Sequence, residues 1–215
     1  EAMKAAGPTL VVGWKRRFPE FLYPGTSRDE QSTTIVSADG EPLLDLLDPR
    51  SWATAAKRII AFGADVAVLQ WWHPMHTPVI RAMQRRFRKA GIRTLIICHN
   101  VEPHETNAMW RRLTRRALSC ADALVVHAPS VGEEARALVP GVPIIEAFMP
   151  TFDNVSAAMT NDVASDAAEL RRRLDAVDCP LLLTFGYVRP YKGVEDAIQS
   201  IAHCQTAPKL LVAGE

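Results

Sequence analysis

The sequence predicts an α/β fold built on parallel strands, and three features carry that expectation. Short runs rich in Leu, Ile and Val alternate with amphipathic stretches along the chain, the pattern of successive βαβ units. Gly63, Pro78 and Gly91 stand at switches between the two kinds of segment. No apolar run approaches the roughly 18 residues needed to cross a bilayer, and no internal repeat interrupts the alternation.

Taken in order, Thr9 to Trp14 reads as a strand, followed by a polar loop with Pro19, Pro24 and Gly25 and a weaker extended segment at Thr33 to Ser37. Ser51 to Phe62 reads as a helix started by Ser51 after Asp48-Pro49, with Trp52, Ala55, Ala56, Ile59 and Ile60 on its apolar side and Gly63 at its end. Asp65 to Trp72 is a buried strand, Thr77 to Lys89 a helix opened by Pro78, and Arg93 to Cys98 a strand after the Gly91 turn. Asn107 to Ser119 is helical and Ala123 to His127 is a strand. Ser130 to Leu138 is a helix in which Ser130 and Glu133 have capping-box spacing, and Val142 to Ile145 is a strand. The alternation then pauses. Glu146 to Asp166, with Pro150 and scattered small residues, reads as a linker. It resumes with a charged helix at Ala167 to Ala176, a strand at Leu181 to Phe185, a helix at Val194 to Cys204 and a strand at Lys209 to Val212. The expected organisation is a first Rossmann-like domain over 1–146, a linker and helix over 147–179, and the opening of a second domain over 180–215. One βαβ unit of that size rarely buries enough surface to stand alone, so the natural chain is expected to continue past Glu215. At the other end the chain enters its first strand without a Gly-rich loop behind it, so an upstream strand is also expected.

Composition narrows the function. Lys plus Arg number 25 against 24 acidic residues, so no global field gathers nucleic acid. Cys98, Cys120, Cys179 and Cys204 stand far apart without a C-x-x-C pair, which points to reduced thiols in a cytoplasmic protein.

In an open parallel sheet the ligand crevice lies beyond the carboxyl ends of the strands, so residues just after each strand are the candidates. Gly186 to Gly193 joins a strand end to a helix start through a glycine turn bearing Arg189 and Lys192. Gly186 permits close backbone approach, the helix start offers unpaired N–H groups, and the two cations suit an anion such as phosphate. On spacing alone, these cations are equally readable as solvated charges of an ordinary turn. After the strand ending at Cys98 come His99, Asn100, Glu102, His104 and Glu105. His99 and His104 lie five apart across Pro103, unlike a helical H-E-x-x-H zinc site, so a metal is not expected there and His99 is the functional candidate. Trp72 and His73, after the preceding strand, could line an acceptor pocket or pack structurally. Arg111, Arg112, Arg115 and Arg116 in one helix form a run that could touch anionic lipid, though such runs are more often solvated faces.

At these residues the sequence resembles glycosyltransferase family four, enzymes of the GT-B fold with two Rossmann-like domains. The resemblance rests on LLLTFGYVRPYKGVEDAIQSIA and LIICHNVEPHE, supported by FPEFLYPGTS and ADVAVLQWWHP. It implies that Lys192, with Arg189 and Gly186, grips the diphosphate of a nucleotide sugar, and that His99 lies near the transferred sugar. Many members carry an arginine directly after the glycine; here Tyr187 stands there and the arginine follows two residues later. The implied reaction is retaining transfer of a hexose-type sugar from a UDP- or GDP-sugar to a glycan, lipid-linked or small-molecule hydroxyl, in glycan or polysaccharide synthesis, with no cofactor and no essential metal. The protein would be cytoplasmic, or peripheral to the inner face of the membrane. The family's E-x7-E pair is not in the chain, so this stretch alone is expected to be inactive. Three other functions fit the same residues: a metal-dependent hydrolase using His73, His76, His99 and His104, a sugar-nucleotide epimerase on the same fold, and a Rossmann-like binding domain without catalysis.

Overall fold

The computed structural model describes residues 7–19, 40–101, 107–149, 163–186 and 188–214. The expected extended segment at 33–37, and Pro24, Gly25 and His104, lie outside the described residues. The chain divides into two compact units, Glu1–Thr151 and Phe152–Glu215.

In the first unit, β1 (Val12–Arg16) pairs in parallel with β2 (Glu41–Asp45). A four-stranded parallel sheet follows in the order β3 (Val66–Trp71), β4 (Arg93–Cys98), β5 (Ala123–Val126) and β6 (Ile144–Glu146). The helices are α1 (Pro49–Phe62), α2 (Thr77–Lys89), α3 (Ala108–Leu118) and α4 (Pro129–Leu138). This is the Rossmann-like parallel arrangement that the alternation predicts. Strand β2 has no counterpart in that reading, because Glu41-Pro42 looks like loop and the five-residue strand is too short to show a period.

Two helix starts differ from expectation for one reason, which is that proline sits at the first helical position, where its fixed φ and missing N–H cost nothing. Helix α1 starts at Pro49, and Asp48 rather than Ser51 caps it, its side chain accepting from Arg50 N–H at 3.0 Å. Ser51 Oγ instead accepts from Asp45 N–H at 2.9 Å and so ties β2 to α1. Helix α4 starts at Pro129 with Ala128 at the cap position, so the capping box expected at Ser130 does not form.

Parallel register fixes which side chains share a face. Leu69, Trp71, Ile96, Cys98, Leu124 and Val126 point to the side covered by Ile80 of α2, Ala117 and Leu118 of α3, and Ala135 and Leu138 of α4. Phe87 and Met83 of α2 continue that packing toward Ala55 and Ala56 of α1 and Leu44 of β2. The opposite face is also apolar, yet Val66, Val68 and Ile145 remain 38%, 39% and 48% exposed. Helices α2 and α3 are joined by two hydrogen bonds from α2 side chains to α3 carbonyls. Thr77 Oγ1 donates to Leu113 O at 3.2 Å, and the buried Gln84 Nε2 donates to Ala117 O at 3.0 Å.

The second unit contains α5 (Val163–Arg173), β7 (Leu181–Phe185), α6 (Val194–Ile201) and β8 (Lys209–Ala213), with β7 and β8 paired in parallel. Lys209 Nζ donates to Leu174 O at 2.9 Å and to Asp175 Oδ2 at 3.1 Å, fastening the end of α5 to β8. Leu182, Leu183, Phe185 and Val212 are exposed on this two-stranded sheet. All four cysteines are free.

Candidate functional site

The first-unit cluster follows from register. Trp71 stands opposite Cys98, and Cys98 opposite Val126. One residue beyond these ladders, Trp72, His99 and His127 therefore stand in a row across the carboxyl ends of β3, β4 and β5. The Trp72 and His99 rings stack with centroids 4.3 Å apart and planes at 23°, and the His99 and His127 centroids are 5.6 Å apart. The Arg17 guanidinium, just after β1, lies 5.5 Å above the Trp72 ring, a cation–π arrangement.

Hydrogen-bond chemistry assigns both tautomers. His99 Nε2 is 2.7 Å from Gln70 Oε1, an acceptor, so Nε2 carries the proton and Nδ1 the lone pair. His127 Nδ1 is 3.0 Å from Ala147 O, an acceptor, so there Nδ1 carries a proton and donates. In its neutral form each ring therefore presents one acceptor nitrogen, Nδ1 of His99 and Nε2 of His127, suited to receive a hydroxyl proton. Burial pushes the His99 pKa below its ordinary value, and the neighbouring His127 adds to that push. Cys98 beside this row is inert, because burial drives its thiol up to about 12.

His73 and His76 serve the backbone. His73 Nδ1 accepts from Met75 N–H at 3.2 Å, and its ring meets Trp110 edge-on at 5.2 Å. His76 is buried between Trp14 and Phe18, and its Nε2–H donates to Arg17 O at 3.1 Å. Burial lowers the pKa of both rings. Among the described residues no three His, Cys, Asp or Glu side chains are grouped so as to hold a metal ion. His73 follows Trp72 in the chain but packs on Trp110 and is not one of the stacked rings of the row.

The second-unit cluster lies at the carboxyl end of β7. Gly186 has φ 117°, a conformation that favours glycine, and its N–H donates to Ala213 O at 2.9 Å. A Cβ on Gly214 would run into the Gly186 carbonyl, so the backbones after β7 and β8 touch directly. A single helical turn at Pro190–Lys192 follows, closed by Lys192 N–H donating to Arg189 O at 2.9 Å. Gly193, left-handed at φ 66°, then leads into α6. Arg189 and Lys192 are exposed, and among the described residues no carboxylate pairs with either. Glu195 and Asp196 occupy the first turn of α6 and complement its dipole, which leaves Arg189 and Lys192 as the positive groups of this turn.

The sequence reading placed Trp72, His73 and His99 at strand ends but missed Gln70, His127 and Gly214. The run ALVVH repeats the pattern of LIICH, an apolar strand ending in histidine, and could have flagged His127. Gly214 follows an apolar strand as Gly186 does. Gln70 carries no such signal, since only the sheet register brings it under His99.

The fold is Rossmann-like α/β, of the GT-B type. It is similar to that of HepE of Anabaena. The structure of HepE in complex with UDP-glucose matches with a TM-score of 0.58 and 12% identity over 75% of this chain and 42% of that one. HepE in complex with UDP and glucose matches with a TM-score of 0.59 and 13% identity over 76% of this chain and 43% of that one. HepE in complex with UDP matches with a TM-score of 0.57 and 13% identity over 77% and 44%. The chain thus spans less than half the length of these structures, and at such identity the likeness is one of fold. No family model and no curated protein matches the sequence.

Proposed function

We propose that the protein bearing this chain is a retaining glycosyltransferase that moves a hexose-type sugar from a UDP- or GDP-sugar to an acceptor hydroxyl, in glycan or polysaccharide synthesis. One observation carries the reading: in a fold shared with a structure that holds UDP-glucose, the turn after β7 displays two exposed cations without a carboxylate partner among the described residues. When the glycosidic bond to the diphosphate breaks, negative charge grows on the leaving phosphate. Lys192 and Arg189 stabilise that charge, a task that needs no metal ion, and Gly186 lets the backbone approach the ligand. His99, held neutral by burial and oriented by Gln70, accepts a hydrogen bond from a hydroxyl of the sugar through Nδ1. Trp72 and His73 face the acceptor.

The hydrolase reading gains nothing from the geometry, because one nitrogen of His73 and one of His76 are committed to backbone groups. The test is turnover of UDP- and GDP-sugars by the full-length protein, with products analysed with and without acceptor. Removing one charge-stabilising donor costs about 3 kcal/mol of barrier, so Lys192→Ala should lower turnover roughly a hundredfold or more. Near-normal turnover in that variant refutes the assignment of Lys192, and isomerised sugar nucleotide without acceptor points to an epimerase.

A further inference from the structure

Helices α2 and α3 share an unusual charge pattern. The segment from Thr77 to Val101 and the segment from Asn107 to Ala121 contain no Asp or Glu, while α2 carries Arg81, Arg85, Arg86, Arg88 and Lys89 and α3 carries four arginines. Since the whole chain is nearly neutral, at +1, this concentration is local and directional.

The cations lie on the outside of both helices. On α3, Thr114, Ala117 and Leu118 are buried, and Arg111, Arg112, Arg115 and Arg116 occupy the opposite side. On α2, Val79, Ile80, Met83 and Phe87 are buried, and Arg85, Arg88 and Lys89 are exposed. The side-chain hydrogen bonds of Thr77 and Gln84 to α3 carbonyls lock the helices together, so their outer sides form one rigid platform. Several cations are held by neutral acceptors: Arg88 Nη2 donates to Cys120 O at 3.2 Å, and Arg115 Nε donates to Leu138 O at 3.2 Å. These bonds orient the guanidinium groups without cancelling their charge. Arg85, Lys89, Arg112 and Arg116 are exposed and pair with no carboxylate among the described residues.

Like charges gathered this closely repel one another, and a surface of anions relieves that repulsion. Arginine suits phosphate in particular, through forked donors. The platform shows Met109, 57% exposed, and no exposed aromatic ring among its described residues that could stack a base. An aromatic-poor cationic face spread over two helices, with an exposed apolar side chain, fits a lipid headgroup layer better than a nucleic acid strand. We propose that the α2–α3 face docks on a membrane surface rich in anionic phospholipid. Trp110, at the start of α3, touches His73, so the upper end of the platform abuts the strand-end cluster. A membrane-borne acceptor would arrive there, although the docking inference stands without the transfer reading.

The experiment is co-sedimentation of the protein with phosphatidylcholine vesicles, with and without about a third phosphatidylglycerol, at low and high salt. Binding should require the anionic lipid and weaken with salt. Each surface cation near such a membrane contributes roughly a fivefold gain in partitioning, so Arg85→Ala/Lys89→Ala/Arg112→Ala/Arg116→Ala should lose on the order of a hundredfold or more. A matched variant, Lys15→Ala/Arg50→Ala/Lys57→Ala/Arg173→Ala, removes the same charge elsewhere and should retain most of the binding. Equal losses in the two variants, equal partitioning onto neutral and anionic vesicles, or tighter binding of a single-stranded RNA oligomer than of anionic vesicles would each overturn the proposal. Thermal melts of both variants establish that they remain folded. Because no sugar turnover is measured, this outcome is independent of whether the protein transfers sugars.

Discussion

At the strand ends of the first unit, aromatic rings pack against one another over a buried core, whereas in the second unit the corresponding position holds exposed cations on a glycine-flanked turn. Trp72, His99 and His127 stand on strands whose next residues inward, Trp71, Cys98 and Val126, are completely buried. Arg189 and Lys192 follow a strand whose last residue, Phe185, is 84% exposed. The difference separates two kinds of recognition. Rings fixed by register and hydrogen bonds favour a ligand of matching shape, while exposed charges attract an anion at longer range and with little geometric demand.

The widest separation between the regions should be in stability. Trp71→Ala removes a fully buried side chain beneath the first row and should cost about 3 to 5 kcal/mol in urea unfolding. Phe185→Ala, under the second cluster, should stay within about 0.5 kcal/mol, and a large loss there would show that β7 is covered in solution. Gly214→Ala should be intermediate, about 1 to 3 kcal/mol, because its methyl group would strike the Gly186 carbonyl and shift a backbone rather than a flexible side chain. An unchanged melting curve would refute the direct backbone contact. The smallest effect should be the pH dependence of the first unit. Burial lowers the pKa of His73, His76 and His99, so the folded protein holds them neutral while the unfolded chain protonates near the ordinary value of 6.5. Their contribution is therefore complete above about that pH and is lost as pH falls through the lowered folded values. Urea unfolding at pH 7.5 and pH 5 should show the decline, and His76→Phe, which suits the Trp14 and Phe18 surroundings, should flatten it.

Much of the fold was legible because the βαβ rhythm is strong. Thr77–Lys89, Arg93–Cys98 and Leu181–Phe185 have the bounds that periodicity and turn residues predict. What escaped was short or settled by competition. Strand β2 hides behind Glu41-Pro42, and Ser51 and Ser130 looked like caps until the neighbouring prolines took the first helical positions. The site divided in the same way. His99 and the cations of the glycine turn are visible as local motifs, but Gln70 and His127 join the cluster only through the pairing of three strands, which no spacing along the chain encodes.

The half-open sheet of the first unit has a practical consequence. Parallel sheets are ordinarily covered on both sides, yet here Val66, Val68 and Ile145 form part of an oily surface that meets water. Purified on its own, this polypeptide should be adhesive: it should brighten an environment-sensitive dye, scatter more light as it is concentrated, and keep better in dilute solution or mild detergent.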